Sequence, residues 1–197
     1  MSNRINDNLQ QLATTFYDFW FATKKPNNNL SSILLENIKS SVQANQVNDV
    51  SGDFPFFTNG DAIKENVTYL VDGLNCYMSK SGIATIKAYF GKASYSTDTW
   101  CIYGKGGYTA FLYFYLKSII SCINSSYFAE SGLKHLQKEA LLKIKLYIPT
   151  AEKISKFNKI VEPLLKKASL IMEGNQKLIK IRDFLLPLLI NGQATID

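Results

Sequence analysis

The chain has 197 residues, of which 46% are hydrophobic and 19% charged, proportions that exclude a disordered chain and suit a folded one. A net charge of +6, from 22 basic against 16 acidic residues, suits nucleic-acid binding among many other roles. No run of roughly 18 apolar residues and no charged-then-apolar leader is present, so a cytoplasmic protein without a membrane span is expected.

Residues 3–21 place Ile5, Leu9, Leu12, Phe16 and Phe19 or Trp20 at steps of three and four, which predicts an amphipathic helix. Lys24-Lys25-Pro26-Asn27-Asn28-Asn29 then stops it and marks a boundary. From 30 to 149 the texture changes to short segments punctuated by turns. Strands are predicted at 54–58, followed by the turn pair Asn59-Gly60, and at 74–79, 84–90 and 100–103. In 84–90 the residues Ile86, Ala88 and Phe90 alternate with Thr85, Lys87 and Tyr89, so Lys87 and Tyr89 share a face that is expected to point outward. Residues 108–123 are apolar almost all round and predict a buried helix. A short helix at 133–142 and a strand at 144–148 close this part at Pro149.

The final segment is the most regular. Ile154, Phe157, Val161, Leu164, Ala168, Ile171, Asn175, Leu178, Arg182, Leu185 and Leu189 follow alternating steps of three and four, a heptad seam. A helix over 152–189 would span roughly 57 Å. Its stripe needs a cover: the N-terminal helix, a second copy of itself, or another protein. Asn175 and Arg182 are polar seam positions of the kind that set register, although Ile181 can carry the seam past Arg182. Pro163, Gly174 and Pro187 are places where the helix is expected to kink or end.

Catalytic chemistry is sparse in this sequence. His135 is the sole histidine and is expected at a helix start; Cys76, Cys101 and Cys122 are dispersed and read as buried hydrophobes. Gly104-Lys105-Gly106-Gly107 lacks the spacing of a phosphate loop. Asp49 with Asp53, and Asp61 with Glu65, read as solvated carboxylates rather than metal ligands. No catalytic residue, metal or cofactor is expected. Between 79 and 105 four lysines, Lys80, Lys87, Lys92 and Lys105, are interleaved with aromatics and face one acid, Asp98. Such a strip attracts phosphates, and it equally suits a solvated sheet edge.

Several stretches, in order, resemble the specificity subunits of type I restriction-modification systems. They are Ile5-Asn6-Asp7-Asn8-Leu9 with Phe16-Tyr17-Asp18-Phe19-Trp20-Phe21; Gly52-Asp53-Phe54-Pro55-Phe56-Phe57-Thr58-Asn59-Gly60; and Met78-Ser79-Lys80-Ser81-Gly82. Ser96-Thr97-Asp98-Thr99, Gly132-Leu133-Lys134-His135-Leu136 and the terminal Ile181-Arg182-Asp183-Phe184-Leu185-Leu186-Pro187-Leu188-Leu189-Ile190-Asn191-Gly192-Gln193 complete the series. The resemblance implies an α+β fold with a small mixed or antiparallel sheet and packed helices. It divides the chain into a helix and linker at 1–29, a target-recognition domain at 30–149, and a long coiled-coil spacer helix at 150–197.

The resemblance further implies the second half of such a subunit, with no catalysis of its own. It would read one half of a split site in double-stranded DNA and dock methyltransferase (modification) and restriction/translocase subunits. Asn59, Lys80, Ser81, Lys87, Tyr89, Lys92 and Lys105 are then the candidate DNA contacts. Ile154, Phe157, Val161, Leu164, Ile171, Asn175, Leu178 and Leu185 are the candidates for pairing as a homodimer. The rival readings are a coiled-coil scaffold that binds protein alone and, against the lack of clustered acids, a small nuclease or methyltransferase.

Overall fold

The structure is a computed structural model, and it describes residues 2–47, 52–128 and 135–190. Helix α1, Ser2–Tyr17, continues into a π-helical turn, Asp18–Ala22. Strands β1, Asn28–Asn29, and β2, Leu34–Glu36, lead to β3, Phe54–Phe57, and β4, Ile63–Asn66. Then come β5, Leu74–Ser79, β6, Ile86–Phe90, β7, Ser94–Tyr95, and β8, Thr99–Gly104. Helices α2, Thr109–Ser118, α3, Ile120–Ser126, and α4, Lys138–Leu142, precede the short β9, Lys145–Leu146. Helix α5, Ala151–Ile190, runs for 40 residues, about 60 Å.

The class is α+β, as the sequence implies. An antiparallel four-stranded sheet has the order β2-β8-β5-β6, a three-stranded sheet the order β4-β3-β7, and β1 pairs with β9. Within the three-stranded sheet β3 and β4 are antiparallel, whereas β3 and β7 run parallel.

The four-stranded sheet is covered on both faces, because its strands carry apolar side chains on both sides. Cys76, Met78, Trp100 and Ile102 face one core with α2, whose Phe111, Leu112 and Phe114 are fully enclosed. Tyr77, Tyr89 and Cys101 face a second core with Phe57 and Tyr95 of the three-stranded sheet. Phe57 and Tyr77 stack there at 3.9 Å with an interplanar angle of 11°. The outward face expected for β6 is therefore the inside of a second core, and Tyr89 is only 2% exposed.

Glycine is required where β8 hands over to α2. A Cβ on Gly104 would lie 2.2 Å from the carbonyl carbon of Tyr108. That close approach lets Thr109 Oγ accept the Gly104 N–H at 3.0 Å.

The apolar phase of α1 differs from the expected one. Ala13, Tyr17 and Phe21 are buried, whereas Ile5, Leu12 and Phe19 are exposed. The π-helical turn adds a residue to the repeat and carries Phe21 inward beside Tyr17, leaving Phe19 outside. The 108–123 helix is split at Ile119, and Cys122 is exposed rather than buried. His135 is not at a helix start: it bridges to Ser81 in extended backbone, and α4 begins only at Lys138. The earlier part of that expected helix, residues 133 and 134, lies outside the described residues, as do Asp49 and Asn191-Gly192-Gln193.

Helix α5 begins after Pro149, where Thr150 caps it: its carbonyl accepts the Ile154 N–H at 3.0 Å. The helix continues through Pro163, Gly174 and Pro187. Ile154, Phe157, Val161, Leu165 and Ala168 are buried against the rest of the chain. Trp20 and Phe21 meet Phe157, while Asn6 and Gln10 line a small cavity with Leu165, Ala168 and Met172, so α1 and α5 run antiparallel.

The flanking helices thus share one core with the middle of the chain. Three residues assigned to an external partner helix, Ile154, Phe157 and Val161, are spent within this chain, because α1 supplies the cover. Leu164, Ile171 and Asn175 are partly buried, whereas Leu178 and Leu185 are 62% and 40% exposed. No described helix is long and apolar enough to cross a membrane.

Candidate nucleic-acid interface

Five segments converge at one end of the two sheets. They are the β3–β4 turn at 58–62, the β5–β6 turn at 80–85, the β7–β8 turn at 96–98, the segment after β2, and the approach to α4. Antiparallel pairing of Ser79 with Thr99 and of Phe57 with Ile63 brings the first three together. The Ser96 N–H donates to the Phe57 carbonyl at 2.9 Å and the Thr97 N–H to the Val42 carbonyl at 2.9 Å. The Leu136 N–H reaches the Lys80 carbonyl at 2.8 Å.

Asn59 is the staple of this end. Its Oδ1 accepts the N–H groups of Lys80 at 2.8 Å and Ser81 at 3.3 Å. Its Nδ2 donates to the Ser81 carbonyl at 2.8 Å and hydroxyl at 3.1 Å. Every hydrogen-bonding position of the amide is occupied within the chain. The side chain offered by the sequence as a base reader instead holds Lys80 and Ser81 in place. Asn59→Ala is expected to strand the Ser81 N–H, to leave the Lys80 N–H only the Asp98 carbonyl at 3.1 Å, and to cost about 1–3 kcal/mol. Thermal unfolding checks the cost, and faster hydrogen exchange at residues 80 and 81 checks the location.

The next turn is pinned as firmly. Gly82 at φ +76° makes the bend, a conformation that favours glycine. The Ala84 N–H donates to Asn124 Oδ1 at 2.6 Å, tying the turn to α3.

Three lysines gather on this frame. Lys80 Nζ donates to the Thr97 carbonyl, and its pKa is lowered, first by burial and then by the nearby charges of Lys138 and Lys39, with Asp98 and Glu36 opposing. Lys138 pairs with Glu36 at 2.8 Å and lies over the Trp100 ring, 4.4 Å from its centroid. Lys39 is exposed. An incoming anion beside Lys80 would offset the repulsion that it meets from Lys138 and Lys39.

The other sequence candidates fall elsewhere. Lys87 sits in β6 and donates to the Gly60 carbonyl, bracing the β3–β4 turn from behind; burial is the main cause of its lowered pKa. Tyr89 is in the second core, donating its hydroxyl to Glu173. Lys92 and Lys105 lie at the opposite end of the sheet, because β8 is six residues long and spans roughly 17 Å. Lys92 stands over the Tyr69 ring, 4.7 Å from its centroid, and Lys105 is exposed.

The fold therefore unites Lys80 and Ser81 with Asn59 and separates them from Lys92 and Lys105. It adds Lys39 and Lys138, which carry no local sequence signal because each stands alone in a distant segment. Among the described residues no group of three potential metal ligands is gathered, and Glu65 is paired with Lys180.

Residues 20–180 match the type I restriction modification DNA specificity domain family. No curated protein matched. Among solved structures, the type I restriction-modification S subunit from M. genitalium is similar at a TM-score of 0.65 and 15% identity, covering 94% of this chain and 55% of that one. The HsdS subunit from Thermoanaerobacter tengcongensis is similar at 0.51 and 11%, covering 91% and 50%. A chain from a study of complex assembly and conformational transition of the type I R-M system gives 0.52 and 13%, covering 91% and 51%. This chain spans about half the length of the solved chains it matches. The family match extends over most of the sequence and, with the shared fold, establishes that the chain belongs to the type I restriction-modification DNA specificity family.

Proposed function

We propose that this chain reads one half of a bipartite site in double-stranded DNA as a specificity half-subunit, with no chemistry of its own, in the cytoplasm. The carrying observation is the convergence of Lys39, Lys80 and Lys138 with Ser81 on turns that side-chain hydrogen bonds hold rigid. Lysines neutralise phosphates and position the domain, while polar turn atoms meet base edges in the major groove. Lys92 and Lys105 are proposed as outlying phosphate contacts; Asn59, Lys87 and Tyr89 support the surface from within. The helices dock the methyltransferase subunits, and through them the restriction/translocase subunit.

Pairing of two copies rests on the distal part of α5. Beyond the stretch that α1 covers, Leu178, Ile181 and Leu185 are at least 40% exposed and lie along one side of the helix. The same face supports the second reading, a scaffold whose helix binds another protein. A homodimer would set two recognition domains a fixed distance apart, as dimer geometry sets half-site spacing.

Two measurements test these proposals. Fluorescence anisotropy with a random-sequence duplex is expected to show salt-dependent binding, alone or with methyltransferase subunits; no binding in either case overturns the DNA assignment and favours the scaffold. Light scattering of the full chain is expected to give a dimer, and of the Leu178→Asp/Leu185→Asp variant a monomer. A monomeric wild-type chain removes self-pairing.

A further inference from the structure

Helix α5 carries a second stripe beside its apolar seam. Ser169, Glu173, Gln176 and Lys180 stand at steps of four, three and four, and so lie along one side of the helix. Each meets the β-sheet region. Ser169 Oγ accepts the Phe90 N–H at 2.9 Å, and Glu173 accepts the Tyr89 hydroxyl. Gln176 Nε2 donates to the Ile63 carbonyl at 3.4 Å, and Lys180 pairs with Glu65.

The partners fall on two different edge strands. β6 ends the four-stranded sheet and β4 ends the three-stranded sheet. The stripe thus closes the outer edge of one sheet, using the Phe90 N–H that no neighbouring strand takes, and clamps the other. Ser169 is buried and Tyr89 is 2% exposed, so the upper two ties are shielded from water. The Glu65 carboxylate is shielded too, at 12% exposure, against 38% for Lys180. In such settings directed hydrogen bonds and a charge pair resist sliding, whereas an apolar contact repacks through rotamer changes.

We propose that Ser169, Glu173, Gln176 and Lys180 are positioning residues that fix the angle between the turn-bearing end of the sheets and the long helix. The purpose of that angle, presenting the turns to DNA at a set distance from a second reading domain, rests on the function proposed above. The mechanical claim does not. Without the ties the sheets remain folded on their two cores, but their orientation on α5 broadens.

Pulsed electron paramagnetic resonance tests the claim. Nitroxides are placed at Ile83→Cys, in an exposed turn, and Lys177→Cys on α5, in a Cys122→Ser background diluted with unlabelled full-length chain. The tied protein is expected to give one narrow distance. Lys180→Glu, which sets two carboxylates against each other, and Tyr89→Phe, which removes the donor to Glu173, are each expected to roughly double its width. The exchange Glu65→Lys/Lys180→Glu is expected to restore the narrow distance.

Unchanged width in the single variants overturns the proposal. Broadening that the charge exchange does not restore also overturns it, since that points to general loss of packing. Failure of the unmodified chain to bind duplex in the anisotropy measurement removes the DNA assignment and leaves this result standing, so the two failures are told apart.

Discussion

Phe157→Ala is expected to lower the unfolding free energy by about 3–5 kcal/mol, the range for removing a large enclosed aromatic. Phe157 is fully buried where three helical segments meet. Its ring lies 5.1 Å from Phe21, 6.2 Å from Trp20 and 6.4 Å from Phe114. The π-helical turn, α2 and α5 all lose a shared partner at once, and rigid helices cannot close on the void. For a chain of this size each kcal/mol shifts the melting temperature by about 2–4 °C, so a fall on the order of 6–20 °C follows. Scanning calorimetry checks the fall, and hydrogen exchange should show α1 opening first. A loss of less than about 1 kcal/mol would mean that α1 does not depend on this contact.

The second large effect concerns binding. Changing Lys39, Lys80 and Lys138 together to Gln is expected to flatten the dependence of log affinity on log salt by about 2–3, since each phosphate neutralised contributes roughly 0.9. Glutamine has two fewer methylenes and no charge, but Asn59 still holds the backbone of Lys80 and Ser81, so the turns should stay folded. The companion variant Lys92→Gln/Lys105→Gln, at the other end of the sheet, is expected to flatten the slope less. The reverse ranking would place the duplex at the opposite end and defeat the assignment of the turn cluster. Titration of a labelled random-sequence duplex at several salt concentrations decides between them.

Sequence patterning shows most of the frame. β3, β5, β8 and α5 lie within a residue or two of where strand composition and heptad spacing put them, because burial on defined faces forces those patterns. The phase of α1 was hidden: Ile5, Leu12 and Phe19 satisfy a helical repeat as well as Ala13, Tyr17 and Phe21, and only the π-helical turn and the position of α5 choose between them. Tyr89 alternates correctly with Ala88, but alternation assigns a face and not what covers it. A second sheet takes the place of solvent there.

The candidate surface was half legible for a similar reason. Lys80 and Ser81 stand in a turn that glycine marks, whereas Lys39 and Lys138 join them only through the pairing of distant segments. The charged strip at 79–105, continuous in sequence, is divided because strands carry successive turns to opposite ends of a sheet.

The antiparallel packing of α1 on α5 has a kinetic consequence. Trp20 and Phe21 find their cover in Phe157, which follows both sheets along the chain. Closing so long a loop delays completion of the main core and leaves the inner face of α1 exposed until α5 is made. On the ribosome the sheets can assemble early around Phe57 and Tyr77. The turn cluster would then exist before the helix that orients it, and emergence of α5 would complete this core.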